Sequence, residues 1–231
     1  MAESLSSALA LVLAADGELM GIVGLSLRVS LSAVLFSSLL ALPVGAALAL
    51  FRFPGRGGVI VLLNALMGLP PVVAGLVIYL LLSRAGPLGP MGLLFTPAAM
   101  VVVQSVLIFP IVAALTRQVV GDLWEEYREQ LTSLGTGRLR AIPTLLWDGR
   151  YGVLTALLAG FGRASAEVGA VLIVGGNIAG VTRVMTTAIA LETSKGDLAL
   201  ALALGAVLMT LTLLINALAY GVGQYSRRRD G

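Results

Sequence analysis

Residues 117–150, RQVVGDLWEEYREQLTSLGTGRLRAIPTLLWDGR, decide how this chain is read. The stretch carries ten charged side chains: Arg117, Asp122, Glu125, Glu126, Arg128, Glu129, Arg138, Arg140, Asp148 and Arg150. The whole chain has only fifteen basic and twelve acidic residues along 231 positions. Within the island Leu123, Tyr127, Leu131 and Leu134 recur at spacings of four, four and three, which places them on one helical face. The positions between them are mostly charged or polar, and Gly135 is a natural C-terminal stop. The pattern predicts a short amphipathic helix that lies on a membrane surface or is gripped by another protein. Glu125, Glu126 and Glu129 favour the protein, because anionic headgroups repel carboxylates.

Outward from the island the chain is apolar. Hydrophobic residues make up 58% and charged residues 12%, about half the share of charge in soluble domains. Mean hydropathy is +0.99. Five runs reach the roughly 20 residues that a helix needs to cross a bilayer: 19–51, 58–82, 93–115, 151–174 and 198–222. The expectation is an all-α polytopic membrane protein, one transmembrane domain over 1–231, with the 117–150 loop between the third and fourth spans. The N-terminal residues 1–16 have an apolar stretch from Leu5 to Ala15, too short to span and without a basic flank. They read as an interfacial helix or a loosely held tail.

The isoelectric point of 9.7 suggests an anionic partner, but the basic residues sit in loops between spans, so topology explains them and no nucleic acid is expected. Ten of the fifteen, including Arg52, Arg56, the five island arginines and Arg227 to Arg229, fall on one side. Arg84, Arg183 and Lys195 fall on the other. The imbalance puts the N-terminus outside, and the C-terminus and the island in the cytoplasm. The chain has no Cys and no His, which excludes disulfides, thiolate metal sites and imidazole chemistry. No Gly-x-x-x-x-Gly-Lys-Ser/Thr loop occurs, so nucleotide hydrolysis would belong to another chain and no catalytic residue is expected here.

Few polar groups lie within the spans. Pro70-Pro71, flanked by Gly68 and Gly75, would kink or break the second, as a gate in a translocation path or as a packed bend. Arg163 and Glu167 are four apart and would share one face of the fourth span. They either border an anion route or neutralise each other, with Arg28 as a further possible partner. Asn64, Gln104 and Asn216 read as hydrogen-bonding contacts between helices. After the turn formers of 175–180, Thr182 to Thr193 would form a short helix that does not cross. Arg183, Thr182, Thr186 and Thr187 fit an oxyanion entrance and a solvated helix start equally well.

Glu129-Gln130-Leu131, three residues, then Gly135 resembles the Glu-Ala-Ala…Gly motif of ABC-importer permeases, with Gln130 and Leu131 in place of the two alanines. Leu134-Gly135-Thr136-Gly137-Arg138-Leu139-Arg140 continues in the manner of that loop. Leu69 to Gly75, Leu82 to Gly89 and Phe161 to Ala170 resemble segments of molybdate- and tungstate-type permeases. Gly175-Gly176-Asn177-Ile178 and Thr182 to Glu192 are similar to the tungstate branch.

The resemblance implies the type I ABC importer permease fold and transport of an oxyanion, tungstate before molybdate or sulfate. It makes 117–150 a coupling element in which Glu129, Gln130, Leu131, Leu134, Gly135 and Arg138 meet a cytoplasmic ABC ATPase dimer. It further implies a second copy of this chain, an extracytoplasmic oxyanion-binding protein and the surrounding membrane lipid as partners. ATP and Mg would be bound on the ATPase, with no cofactor or metal in this chain. An ion-coupled secondary carrier would call for internal repeats and several ionisable residues at mid-membrane, of which the spans hold one carboxylate, Glu167.

Overall fold

A computed structural model describes residues 2–14 and 16–229. Met1 and Ala15, part of the N-terminal segment read above, lie outside the described residues. The described chain is helical without strands: α1 (Ala2–Leu13), α2 (Gly17–Leu50), α3 (Arg56–Met67), α4 (Pro71–Leu82), α5 (Pro97–Ser133), α6 (Arg138–Asp148), α7 (Arg150–Ser165), α8 (Gly169–Gly175), α9 (Met185–Lys195) and α10 (Leu198–Arg229). Three helices, α2, α5 and α10, are each long and apolar enough to cross a membrane. The number rises to five when the broken pairs α3/α4 and α7/α8 each count as one span. The architecture is the all-α, multi-pass one expected.

The breaks have local causes. α3 ends at Gly68, whose N–H turns back to the Ala65 carbonyl. Pro70 is extended (φ −61°, ψ 125°) and Pro71 is the first residue of α4. That is where a missing N–H costs nothing, because the first-turn amides have no intrahelical acceptor. The expected break of the second span is present: the Pro70-Pro71 pair starts α4, which is turned by 102° from α3. The expected span 151–174 is likewise two helices, separated at Ala166-Glu167-Val168. The expected span from residue 93 begins at Pro97, after a turn in which Phe95 has φ 62°.

The island differs from expectation in one respect. No separate amphipathic helix forms, because between Leu115 and Gly135 the chain meets no proline and only one glycine, Gly121, which the helix absorbs. Instead α5 runs 37 residues without interruption, about 55 Å at 1.5 Å per residue and well beyond a hydrocarbon core of about 30 Å. Its second half carries the charges.

Contacts divide the chain into two compact units. The first comprises Met1–Ala33, Pro70–Gln104 and Gly162–Ile215. Its core joins Ala8 of α1, Leu19 and Ile22 of α2, Met185 and Ala188 of α9, and Ala203 and Leu204 of α10. The N-terminal helix is thus packed through one face. The second unit comprises Val34–Leu69, Ser105–Phe161 and Asn216–Gly231, with Ala46, Leu50, Val120, Ala141 and Leu145 at its core. Here α2 meets α5 backbone to backbone: a Cβ on Gly45 would stand 2.5 Å from the Ala113 carbonyl oxygen. Small residues at such contacts let membrane helices approach closely. Leu35, Phe36, Leu39 and Leu40 of α2 remain largely exposed, as suits a flank solvated by lipid or a partner.

Candidate coupling and translocation site

In the second unit Leu123, Tyr127 and Leu131 pack on the core formed with α6, so three of the four island apolar residues share the expected face. Leu134 does not. It lies past the helix end and is 79% exposed. The end itself is a Schellman closure: Gly135 has φ 71°, its N–H bonds the Thr132 carbonyl (3.0 Å), and the Thr136 N–H bonds the Leu131 carbonyl (2.9 Å). Glu129 and Gln130 are exposed one turn before it, and Arg138 is exposed at the first position of α6.

Helix α6 was not anticipated from the sequence. It buries Ala141 and Leu145, four apart, and leaves Leu139 and Trp147 exposed. Gly137 and Gly149 bound it, and that spacing between two glycines was a readable signal obscured by Pro143. Arg150 seals its end, stacking on Trp147 and Tyr151 (5.3 and 4.8 Å to the ring centres) and donating to the Trp147 carbonyl. Glu129, Leu134, Arg138 and Leu139 thus offer both charge and unburied apolar surface around the turn, and Trp147 adds an exposed ring at the other end of α6.

The first unit holds Gln104, Arg163 and Glu167, whereas Asn64 and Asn216 fall in the second. Arg163 and Glu167 are paired, Nη1 to Oε2 at 2.6 Å, but not as two residues on one helix face, since Glu167 lies in the break between α7 and α8. Its side chain is 3% exposed against 31% for Arg163. Its Oε1 accepts the Ala170 N–H (3.0 Å), filling one of the free amides at the start of α8. The Glu167 carbonyl accepts the Thr186 hydroxyl (2.7 Å), and the Ala164 carbonyl accepts Gln104 Nε2 (3.1 Å). Irregular backbone at membrane depth persists only when its freed groups find partners. Gln104, Thr186 and the Glu167 carboxylate supply them here.

The two breaks meet. A Cβ on Gly169 would lie 2.9 Å from Val72 Cγ2, and one on Gly75 would lie 2.8 Å from the Ala170 Cα, so the start of α4 rests on the start of α8. Pro71 is half-buried and Pro70 exposed beside this contact. A cavity of about 10 Å³ adjoins the break, lined in part by Ser26, Ser30, Gln104 and Glu167. It has room for about one water, and the buried Gln104 Oε1 has no partner among the described residues.

The threonines of 182–187 are buried and serve the backbone: Thr182 donates to the Gly175 carbonyl and accepts the Ile178 N–H, and Thr187 accepts the Val184 N–H. Arg183 is held between Glu18 and Glu192, 3.7 Å from each. Arg28 is exposed and lines a cavity of about 430 Å³ with Glu18 and Arg183. It makes no ion pair among the described residues, so the considered pairing with Glu167 does not occur.

No family model matches the chain. Among characterised relatives, it is 42% identical over 218 residues to "Probable anion ABC transporter permease protein" of Haloferax volcanii, covering 92% of this chain and 94% of that one. It is 37% identical over 222 residues to "Tungstate uptake system permease protein TupB" of Peptoclostridium acidaminophilum, covering 96% and 97%. "Sulfate transport system permease protein CysT" of Salmonella typhimurium is more distant, 29% identical over 190 residues, 79% of this chain and 69% of that one. With likeness of this degree along nearly its whole length, and with the multi-pass helical architecture described above, the chain belongs to the permease family of ABC transporters.

Proposed function

We propose that this chain is the membrane subunit of an ATP-driven importer of a tetrahedral oxyanion, tungstate ahead of molybdate or sulfate. The observation that carries the substrate is the nearly full-length likeness to a protein named as a tungstate permease, against a shorter and weaker likeness to sulfate permeases. Two copies enclose the pathway, a binding protein delivers the anion at the N-terminal side, and an ATPase dimer binding ATP and Mg works from the other. The chain itself has no hydrolytic site.

The arginine imbalance puts the island in the cytoplasm. There the turn at Glu129 to Gly135, with Arg138, Leu139 and Trp147, is the surface on which the ATPase acts. The contact of α4 with α8 is the gate: Pro70-Pro71 and the Arg163–Glu167 pair lie at the two breaks, and a break is where a helix half can move without unravelling its neighbour. Glu167 holds the geometry and is not a ligand, since a buried carboxylate repels a dianion. Arg163, one-third exposed, is the cation of this pair that a passing anion can meet.

Two measurements test the reading. An ATPase should co-purify with the intact chain and be lost on Glu129→Lys; no co-purification from cells expressing the neighbouring transport genes overturns the importer. In those cells uptake should be inhibited by tungstate at lower concentration than by molybdate or sulfate. Equal or reversed inhibition overturns tungstate and leaves the importer standing.

A further inference from the structure

A cleft of about 390 Å³ opens in the second unit, beside the island. Three of its arginines stand where apolar runs end. Arg52 lies two residues beyond α2, Arg56 opens α3, and Arg117 follows the apolar half of α5. Arg128 and Arg138 face the cleft from the charged half of α5 and the start of α6. The lining carboxylates are Asp122 and Glu125, so arginines outnumber them five to two. None of the five forms an ion pair among the described residues. Arg56 is fixed at the edge by its Nε, which donates to the Leu48 carbonyl over 2.7 Å.

Unpaired guanidinium groups gathered in one cleft repel each other unless an anion sits among them, and their forked donors suit the oxygens of a phosphate. The depth of the cleft specifies which phosphate. Beyond Arg56 and two glycines, α3 continues as Val59-Ile60-Val61-Leu62, and on the face turned away from Arg56 Val61 is 68% and Leu62 58% exposed. In a multi-pass protein a flank this apolar marks the part of α3 that lies within the hydrocarbon layer. The cleft therefore lies where hydrocarbon gives way to headgroups, and Trp124 in its wall is the amphipathic aromatic residue favoured at that level.

We propose that this cleft binds the phosphate of an anionic phospholipid, with Arg52, Arg56 and Arg117 around the headgroup at the level where α2, α3 and α5 turn apolar. The bound lipid neutralises the arginines and ties the end of α2 and the start of α3 to the middle of α5 beside the coupling turn. The site is independent of which oxyanion is transported.

The test uses the full chain purified in mild detergent, with native mass spectrometry and thermal unfolding read in parallel. Phosphatidylglycerol should stay bound and raise the unfolding temperature, and phosphatidylcholine should do neither. R52Q/R117Q should weaken phosphatidylglycerol retention by about 25-fold, since each arginine near a lipid surface contributes on the order of fivefold. R84Q, in a turn of the other unit, should leave it unchanged. If the double variant cannot be purified, R52Q alone, altering an exposed side chain, should give about a fivefold loss. Equal stabilisation by phosphatidylcholine, or full retention by the variants, overturns the site. Inorganic phosphate or tungstate that stabilises the wild type and displaces the lipid also overturns it, in favour of a soluble anion.

Discussion

Gly75 of α4 lies so close to Ala170 of α8 that a Cβ on Gly75 would stand 2.8 Å from the Ala170 Cα and 3.2 Å from its carbonyl oxygen. Both neighbours are backbone, so neither can rotate away. Gly75→Val should therefore force the two half-helices apart, at about 3 kcal/mol or with loss of folding. Gly205→Ala is the matched control, with open space at the Cβ position on a helix. It should leave unfolding of the purified protein unchanged or slightly higher, because alanine favours helix by about 1 kcal/mol. Equal effects of the two changes would show that the close contact does not matter.

The two members of the Arg163–Glu167 pair are unequally buried, which makes their substitutions unequal. Glu167→Gln keeps an oxygen for the Ala170 N–H and leaves a guanidinium that is one-third exposed. Arg163→Gln leaves a buried carboxylate without its counterion, a situation that costs about 3 kcal/mol or more. The unfolding temperature should therefore fall further for Arg163→Gln than for Glu167→Gln. It should partly recover in the double variant, where no lone charge remains. A larger loss for Glu167→Gln would mean that the cap of α8, and not the ion pair, dominates at this break.

Gly135 combines a left-handed conformation with an exposed position. At φ 71° an L side chain costs about 1 kcal/mol, yet a Cβ there meets nothing within 4 Å. Gly135→Ala should accordingly lower the unfolding temperature only a little while altering the turn presented by Glu129 and Arg138. If that turn couples to the ATPase, uptake should fall severalfold more than stability predicts. Unchanged ATP-dependent uptake at full expression would remove Gly135 from the coupling surface.

The spans were legible because their signal is composition over 20 or more residues, which does not depend on where the chain folds back. The break at Pro70-Pro71 was legible for the local reason that proline lacks an N–H, although not that Pro71 would start the second half. The break at Glu167 was not. Ala164 to Val168 contains neither proline nor glycine, and the irregular backbone is satisfied by Gln104, sixty residues before Ala164, and Thr186, nineteen after Glu167. Four-residue spacing therefore suggested a shared helix face that the backbone does not provide. Leu134 misled in the opposite way: its periodicity is right, but the helix has already closed through Thr136 and Leu131. Arg52, Arg56 and Arg117 were counted as topology markers, and only the tertiary fold brings them to one cleft.

The satisfaction of the Glu167 break can itself be measured. Gln104 donates to the Ala164 carbonyl, but its Oε1 is buried without a partner among the described residues, so the side chain is only half used. Gln104→Leu removes the unsatisfied acceptor along with the bond, and the Ala164 carbonyl still accepts the Glu167 N–H at 3.1 Å. The net cost should be small, near the 0.6 kcal/mol average for polar contacts between membrane helices. Gln104→Glu should be far worse, because it sets a second carboxylate in the cavity that Glu167 already lines. Thr186→Val should fall between them, since it strips the Glu167 carbonyl of a 2.7 Å bond while preserving volume. Unfolding temperatures of the three purified variants, ranked in that order, check the account. A Gln104→Leu loss equal to that of Gln104→Glu would mean that a bound water on Oε1, and not the Ala164 bond alone, holds the break.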